Sequence, residues 1–91
     1  MFESDIQKKI SDYLSTLDEC WVVKVMAANK RGTPDILAVI SGKFVAIEVK
    51  APGGKASKLQ IAQLKRIEAA GGVAILVVDL LEAVDVEVKD A

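Results

Sequence analysis

"DILAVISGKFVAIEVK", residues 35–50, sets two runs of Val, Ile, Leu and Ala on either side of a Ser41-Gly42 pair. Short β-branched runs joined by two turn-forming residues predict an antiparallel hairpin. The second run ends in charge, with Glu48 and Lys50 closing an otherwise hydrophobic strand. Side chains alternate along a strand, so Phe44, Ala46, Glu48 and Lys50 share one face. Pairing about the turn brings Asp35, at the start of the hairpin, beside the end that carries Glu48. Two carboxylates that close repel and raise a pKa unless a cation lies between them. The simpler explanation is an ordinary ion pair at a strand end, with Lys50 bridging to Glu48 or Asp35.

Outward from the hairpin, "CWVVKVM" (20–26) reads as a preceding strand and "AANKRGTP" (27–34) as a basic loop punctuated by Gly32 and Pro34. Ile6, Ile10, Leu14 and Leu17 recur at helical spacing and predict an amphipathic first helix, with Ser4 and Gln7 as a candidate capping box. On the other side, "APGGKAS" (51–57) is a flexible loop, and Ser57-x-x-Gln60 opens a second helix whose buried face includes Leu64, Ile67 and Ala70. Gly71-Gly72 stops that helix. The uniformly apolar "VAILVV" (73–78) predicts a central strand covered on both faces. Residues 79–91 are ambiguous between a short helix with a final strand and an irregular edge. The order α-β-β-β-α-β predicts one α/β domain over residues 1–91, a mixed β-sheet flanked by helices.

Composition narrows the chemistry. The chain has no histidine and one cysteine, which removes His-dependent triads and Cys- or His-based zinc sites, so any metal here must be held by oxygen. A lone cysteine and no signal-like segment make the cytoplasm the expected compartment, and no apolar run is long enough for a membrane span. The net charge of −1 conceals an uneven distribution: residues 24–66 hold nine bases against Asp35 and Glu48 alone, or +7, between acidic flanks of −3 and −5. A basic centre suits a polyanionic partner such as nucleic acid, although chance clustering on a solvated face weighs about equally. In it, carboxylates survive only at two strand ends, as a cation site requires. Mg²⁺ or Mn²⁺ is the fitting ion, since such cations take one or two carboxylates with water and substrate phosphate. Lys50 would then orient the attacking water or stabilise charge on the phosphate. Lys30, Arg31, Lys55 and Lys58 occupy the flanking loops. Any one alone reads more readily as a solvated charge than as essential, but as a set they suit a rim that contacts DNA phosphates without reading sequence. "GGKAS" is not a phosphate-binding loop, because Ala56 stands where Ser or Thr belongs and Val49 where the first glycine belongs, so no nucleotide cofactor is expected. Trp21 and Met26 read as core or interface residues.

Pro34-Asp35 followed by Glu48-Val49-Lys50 spells the PD-(D/E)xK nuclease signature. The wider context "RGTPDIL…FVAIEVKAPGGKASKLQ" resembles the VRR-NUC branch of that superfamily, from Glu3 to about Val78. The resemblance implies the restriction-endonuclease-like core and a structure-specific DNA endonuclease using Mg²⁺ or Mn²⁺. It implies that Asp35 and Glu48 bind the metal, that the Val49 carbonyl completes its coordination and that Lys50 is the catalytic lysine. Glu3 matches a first-helix glutamate that joins the metal in such nucleases, though an acid in a first turn also serves the helix dipole alone. Gln60 matches a glutamine on the helix after the loop, and it is equally the natural capping partner of Ser57; Gln63 is a weaker candidate. Small stand-alone members are similar to virus-type nucleases, some acting on four-way (Holliday) junctions as homodimers, which implies branched DNA as partner and a bacterial or phage-infected cell as setting. A non-catalytic nucleic-acid-binding module of the same fold is the alternative.

Overall fold

The computed structural model describes residues 2–78. Its elements are α1 (Glu3–Leu14), β1 (Cys20–Lys24), β2 (Ile36–Ile40), β3 (Lys43–Val49), α2 (Lys58–Ala69) and β4 (Val73–Val77). They form a four-stranded sheet in the order β1-β2-β3-β4. The predicted hairpin is β2–β3, paired from Ile36↔Ile47 to Ile40↔Lys43. Ser41 and Gly42 both have positive φ, 48° and 83°, the backbone of a type I′ turn whose twist matches that of the strands. β1 lies antiparallel to β2, and α2 carries the chain across to β4, parallel to β3. The sheet is therefore mixed, as the element order predicts, with β3 inside it; β4, expected to be central and covered on both faces, instead stands at the edge of the described sheet with Leu76 exposed. β1 is shorter than expected and ends at Lys24, although the Val25 N–H still donates to the Asp35 carbonyl at 2.8 Å. The ambiguous segment 79–91 lies outside the described residues.

The two faces of the sheet are treated differently. Ile6, Ile10 and Leu14 of α1 pack with Ile36, Ala38, Val45, Ile47, Val49 and Val77 in the main core. Burial of each large side chain there contributes roughly 2 kcal/mol. Glu48 therefore belongs to the opposite face, with Phe44 and Ala46, where α2 provides the cover and Leu64 is its buried residue. That cover is incomplete: Trp21, Val39 and Phe44 are exposed.

The first helix starts earlier than its Ser4/Gln7 box predicts. Phe2 occupies the N-cap with extended backbone (φ −80°, ψ 155°) and Glu3 is the first helical residue. Phe2 has no side-chain oxygen, so only half a capping box forms: its N–H donates to Asp5 Oδ2 at 3.2 Å. The second box is complete. Ser57 Oγ accepts from the Gln60 N–H at 3.1 Å and Gln60 Oε1 accepts from the Ser57 N–H at 2.8 Å. At its other end, Gly71 (φ 101°) donates to the Glu68 carbonyl and Gly72 to the Ile67 carbonyl, which is the Schellman closure.

Gly32 ties the loop before β2 to the start of α2. Its φ is +80°, and a Cβ there would lie 2.8 Å from the backbone C and O of Leu59. Gly53 has a similar φ of +85° but open space around it. Gly53→Ala should therefore cost about 1 kcal/mol, the left-handed penalty alone, and Gly32→Ala clearly more. Urea midpoints of the two variants check this, and equal losses would refute the close approach.

Candidate active site

Glu48 is the one buried charged residue among the described residues, only 1% exposed. Its place follows from topology: β3 is flanked by β2 and β4, and α2 lies over the face that Glu48 shares. Its Oε2 stands 3.4 Å from Lys50 Nζ, while Oε1 is buried without a hydrogen-bond partner. Lys50 is itself largely enclosed, and its backbone N–H donates to the Val77 carbonyl at 2.8 Å, which anchors this end of β3 to β4. Asp35 precedes β2, and its Oδ2 accepts from the Val49 N–H at 2.8 Å. That bond extends the hairpin past its last paired residues and fixes the Asp35 carboxylate beside Glu48. The structure thus brings Asp35, Glu48, Val49 and Lys50 together at one strand end.

Burial pushes the Glu48 carboxyl from 4.5 up to about 7, and the negative charge of Asp35 pushes the same way. Lys50 pulls it down without cancelling the rise. Glu48 is therefore a group that exchanges a proton near neutrality, and an additional cation would favour its ionised form.

The donor set suits a hard divalent cation. An orphaned carboxylate oxygen, a second carboxylate held beside it and an adjacent strand backbone are oxygen donors of the kind Mg²⁺ and Mn²⁺ take. Asp35 and Glu48 could hold such an ion, with the Val49 carbonyl the main-chain donor of the expected set. Glu3 is not gathered with them. It lies in the first turn of α1, the helix packed on the other face of the sheet, and no group of three or more His, Cys, Asp or Glu among the described residues converges to hold a metal. The side-chain oxygen of Gln60 is engaged by the Ser57 N–H, so the structure displays its capping role. Gln63 lines a groove further along α2.

The basic residues cluster where two loops meet the N-terminus of α2. Gly32 rests on Leu59 and Gln60, which places Lys30 and Arg31 there, all exposed. Loop 51–57 returns beside the site: a Cβ on Gly54 would stand 3.4 Å from Lys50 Cβ, so Lys55 follows directly, and Lys58 opens the helix. Arg66, which sequence reading counted only within the basic block, lines one groove with Lys30. Spacing alone could not reveal that pairing, because the loop and α2 are distant in the chain.

No family model and no curated protein matches the sequence. Solved structures do match the fold. One described as "VRR_NUC domain" superposes with a TM-score of 0.79 at 22% identity, covering 91% of this chain and 90% of its own. Another, "VRR_NUC domain protein", gives 0.78 at 16% identity, covering 98% and 87%. The chain shares the fold that its motif resemblance implies, over nearly the whole length of both.

A carboxyl whose folded pKa exceeds its unfolded value binds more protons folded than unfolded between the two. The contribution of Glu48 to stability is thus complete below about pH 4.5 and lost as the pH rises through about 7. In EDTA, thermal melts at pH 5 and pH 8 should show that loss, on the order of 3 kcal/mol at most. Glu48→Gln should melt higher than the wild type at pH 8, and a variant difference independent of pH would exclude the raised pKa.

Proposed function

We propose that this chain is a metal-dependent DNA endonuclease that hydrolyses phosphodiester bonds at the Asp35–Glu48–Lys50 site. The observation that carries the reading is the orphaned Glu48 oxygen, buried beside a second carboxylate in the most basic part of the chain. A module that only binds nucleic acid gains nothing from two carboxylates facing its phosphates. The fold shared with the VRR_NUC structures supports the same class.

Each residue has a distinct task. Asp35 and Glu48 hold the divalent ion, which supplies charge neutralisation and a bound water of lowered pKa. The Val49 N–H holds Asp35 towards the site through its 2.8 Å bond. Lys50, 3.4 Å from Glu48 and tethered through its main chain to β4, presents its ammonium to the attacking water or to a phosphate oxygen. Lys30, Arg31, Lys55 and Lys58 position the DNA backbone. Gln60 supports the site by capping α2, which fixes the helix against the Gly32 loop. Symmetric cutting of a four-way junction by a homodimer is the finer form of this reading, supported by the sequence resemblance alone.

The test is a labelled panel of four-way junction, splayed arm, flap, blunt duplex and single strand with Mg²⁺, Mn²⁺ or EDTA. Metal-dependent cleavage is expected, falling at least roughly 100-fold in Asp35→Asn, Glu48→Gln and Lys50→Met, since even loss of an outer-shell partner costs up to that much. Binding without any cut product would leave a non-catalytic module. Paired nicks in the junction, together with a dimer in sedimentation, would support the finer form.

Lys55→Ala and Lys58→Ala should weaken binding equally across sequences. Each should also lower the slope of log K against log salt by about 1 if it neutralises one phosphate. A salt titration of the metal-free complex reads both effects, and an unchanged slope would remove that residue from the DNA interface.

A further inference from the structure

The face of the sheet that carries Glu48 has a second feature that cleavage does not use. Trp21, Val39 and Phe44 are cross-strand partners in one row over β1, β2 and β3, and they are 61%, 38% and 42% exposed. Two strand spacings put the two aromatic residues about 10 Å apart. Beside Phe44, a groove of about 330 Å³ runs between the sheet and α2, with Leu37, Phe44 and Ile67 in its floor and Lys30 and Arg66 on its rim. Phe44 is held from behind, since Gly72 leaves room for its ring and for Ile67.

We propose that this face and groove bind unpaired nucleotides of the DNA substrate by base stacking, so that a single-stranded arm beside the scissile bond is part of what the protein recognises. Exposed aromatic rings flanked by cations are what unpaired bases and their phosphates require: every base offers a π-face, and the cations follow the backbone. Charge favours this occupant over a protein surface. The groove is rimmed by Lys30 and Arg66, and none of the residues that line it is acidic. Position favours it too. Phe44 and Glu48 share the face four residues apart on β3, about 13 Å, or roughly four base rises along a strand of DNA. α2 covers the direct line between them, but the groove beside it is lined by Lys30 and Thr33, in the loop that leads to Asp35, as well as by Phe44, so it joins the active-site end of the sheet to the aromatic row. The position beside a cleavage site rests on the nuclease reading, but stacking itself does not.

Trp21 is the only tryptophan, so its emission reports this face directly. The full chain in EDTA is titrated with a short oligothymidylate and with a blunt duplex of equal length. Saturable quenching by the single strand, exceeding that by the duplex, is the expected result. Polarisation of a labelled oligothymidylate should show binding weakened about tenfold in both Trp21→Leu and Phe44→Leu, which keep apolar bulk but lose the ring. Absence of quenching, or single-strand binding unchanged in both variants, would overturn the proposal. So would Trp21 emission that is blue-shifted and protected from iodide in the DNA-free monomer, which would mean that the chain itself covers the face. A DNA-free dimer dissolved by Trp21→Leu would instead assign the face to a second copy. Metal-dependent cleavage without quenching would sink stacking and leave the nuclease. Quenching without cleavage on any substrate would do the reverse.

Discussion

A carboxylate held almost wholly out of solvent is the constraint on which this end of the molecule depends. Glu48 is 1% exposed because β3 is flanked on both edges and lies under α2. Ionising a group in that position costs several kcal/mol, and one lysine at 3.4 Å offsets only part of it. Asp35 makes matters worse, since it adds like charge. The carboxyl responds by holding its proton up to about pH 7, and more positive charge beside it would favour the ionised form. A divalent cation bound here, as the nuclease reading proposes, would therefore displace a proton.

The surrounding fold holds that arrangement with short, local devices. The type I′ turn sets the hairpin register, and the register puts Asp35 past Ile36 and within reach of the Val49 N–H. Lys50 is fixed through its own N–H to Val77, so the parallel strand β4 positions the lysine as well as burying the glutamate. The basic loops arrive by a different route. Gly32 lets one backbone press against another at Leu59, and the Ser57–Gln60 box fixes the helix end that receives it. Stability is drawn chiefly from the α1 face, which frees the α2 face for polar and exposed groups.

What the sequence discloses follows this division between local and distant. The hairpin, the box at Ser57 and the stop at Gly71-Gly72 each depend on a few adjacent residues, and each is found where the pattern puts it. The Asp35–Glu48–Lys50 group is legible too, because a two-residue turn fixes which ends meet. The start of α1 is not, since Phe2 caps without a side-chain acceptor and Asp5 alone leaves a signal. Nor is the position of Glu3: its helical phase is local, but the face of the sheet that α1 covers is not. Periodicity likewise cannot show that α2 leaves Trp21 and Phe44 uncovered, because that depends on where the helix crosses the sheet.

An ion pair kept only for stability would have different partners. Replacing a buried pair with apolar residues is often neutral or favourable, so fold stability supplies no reason to retain Glu48 in a strand whose other inner residues are Val, Ala and Ile. It supplies still less reason to add Asp35 beside it. Lys50 could satisfy a single carboxylate through both oxygens, yet Oε1 is left bare. On the proposed reading the same three residues make sense once the missing partner is positive, carries its own water and accepts oxygen donors from one side of a strand end. On the proposed nuclease reading, the buried carboxyl of Glu48 is a cost kept for function, and the α1 core helps the fold tolerate it.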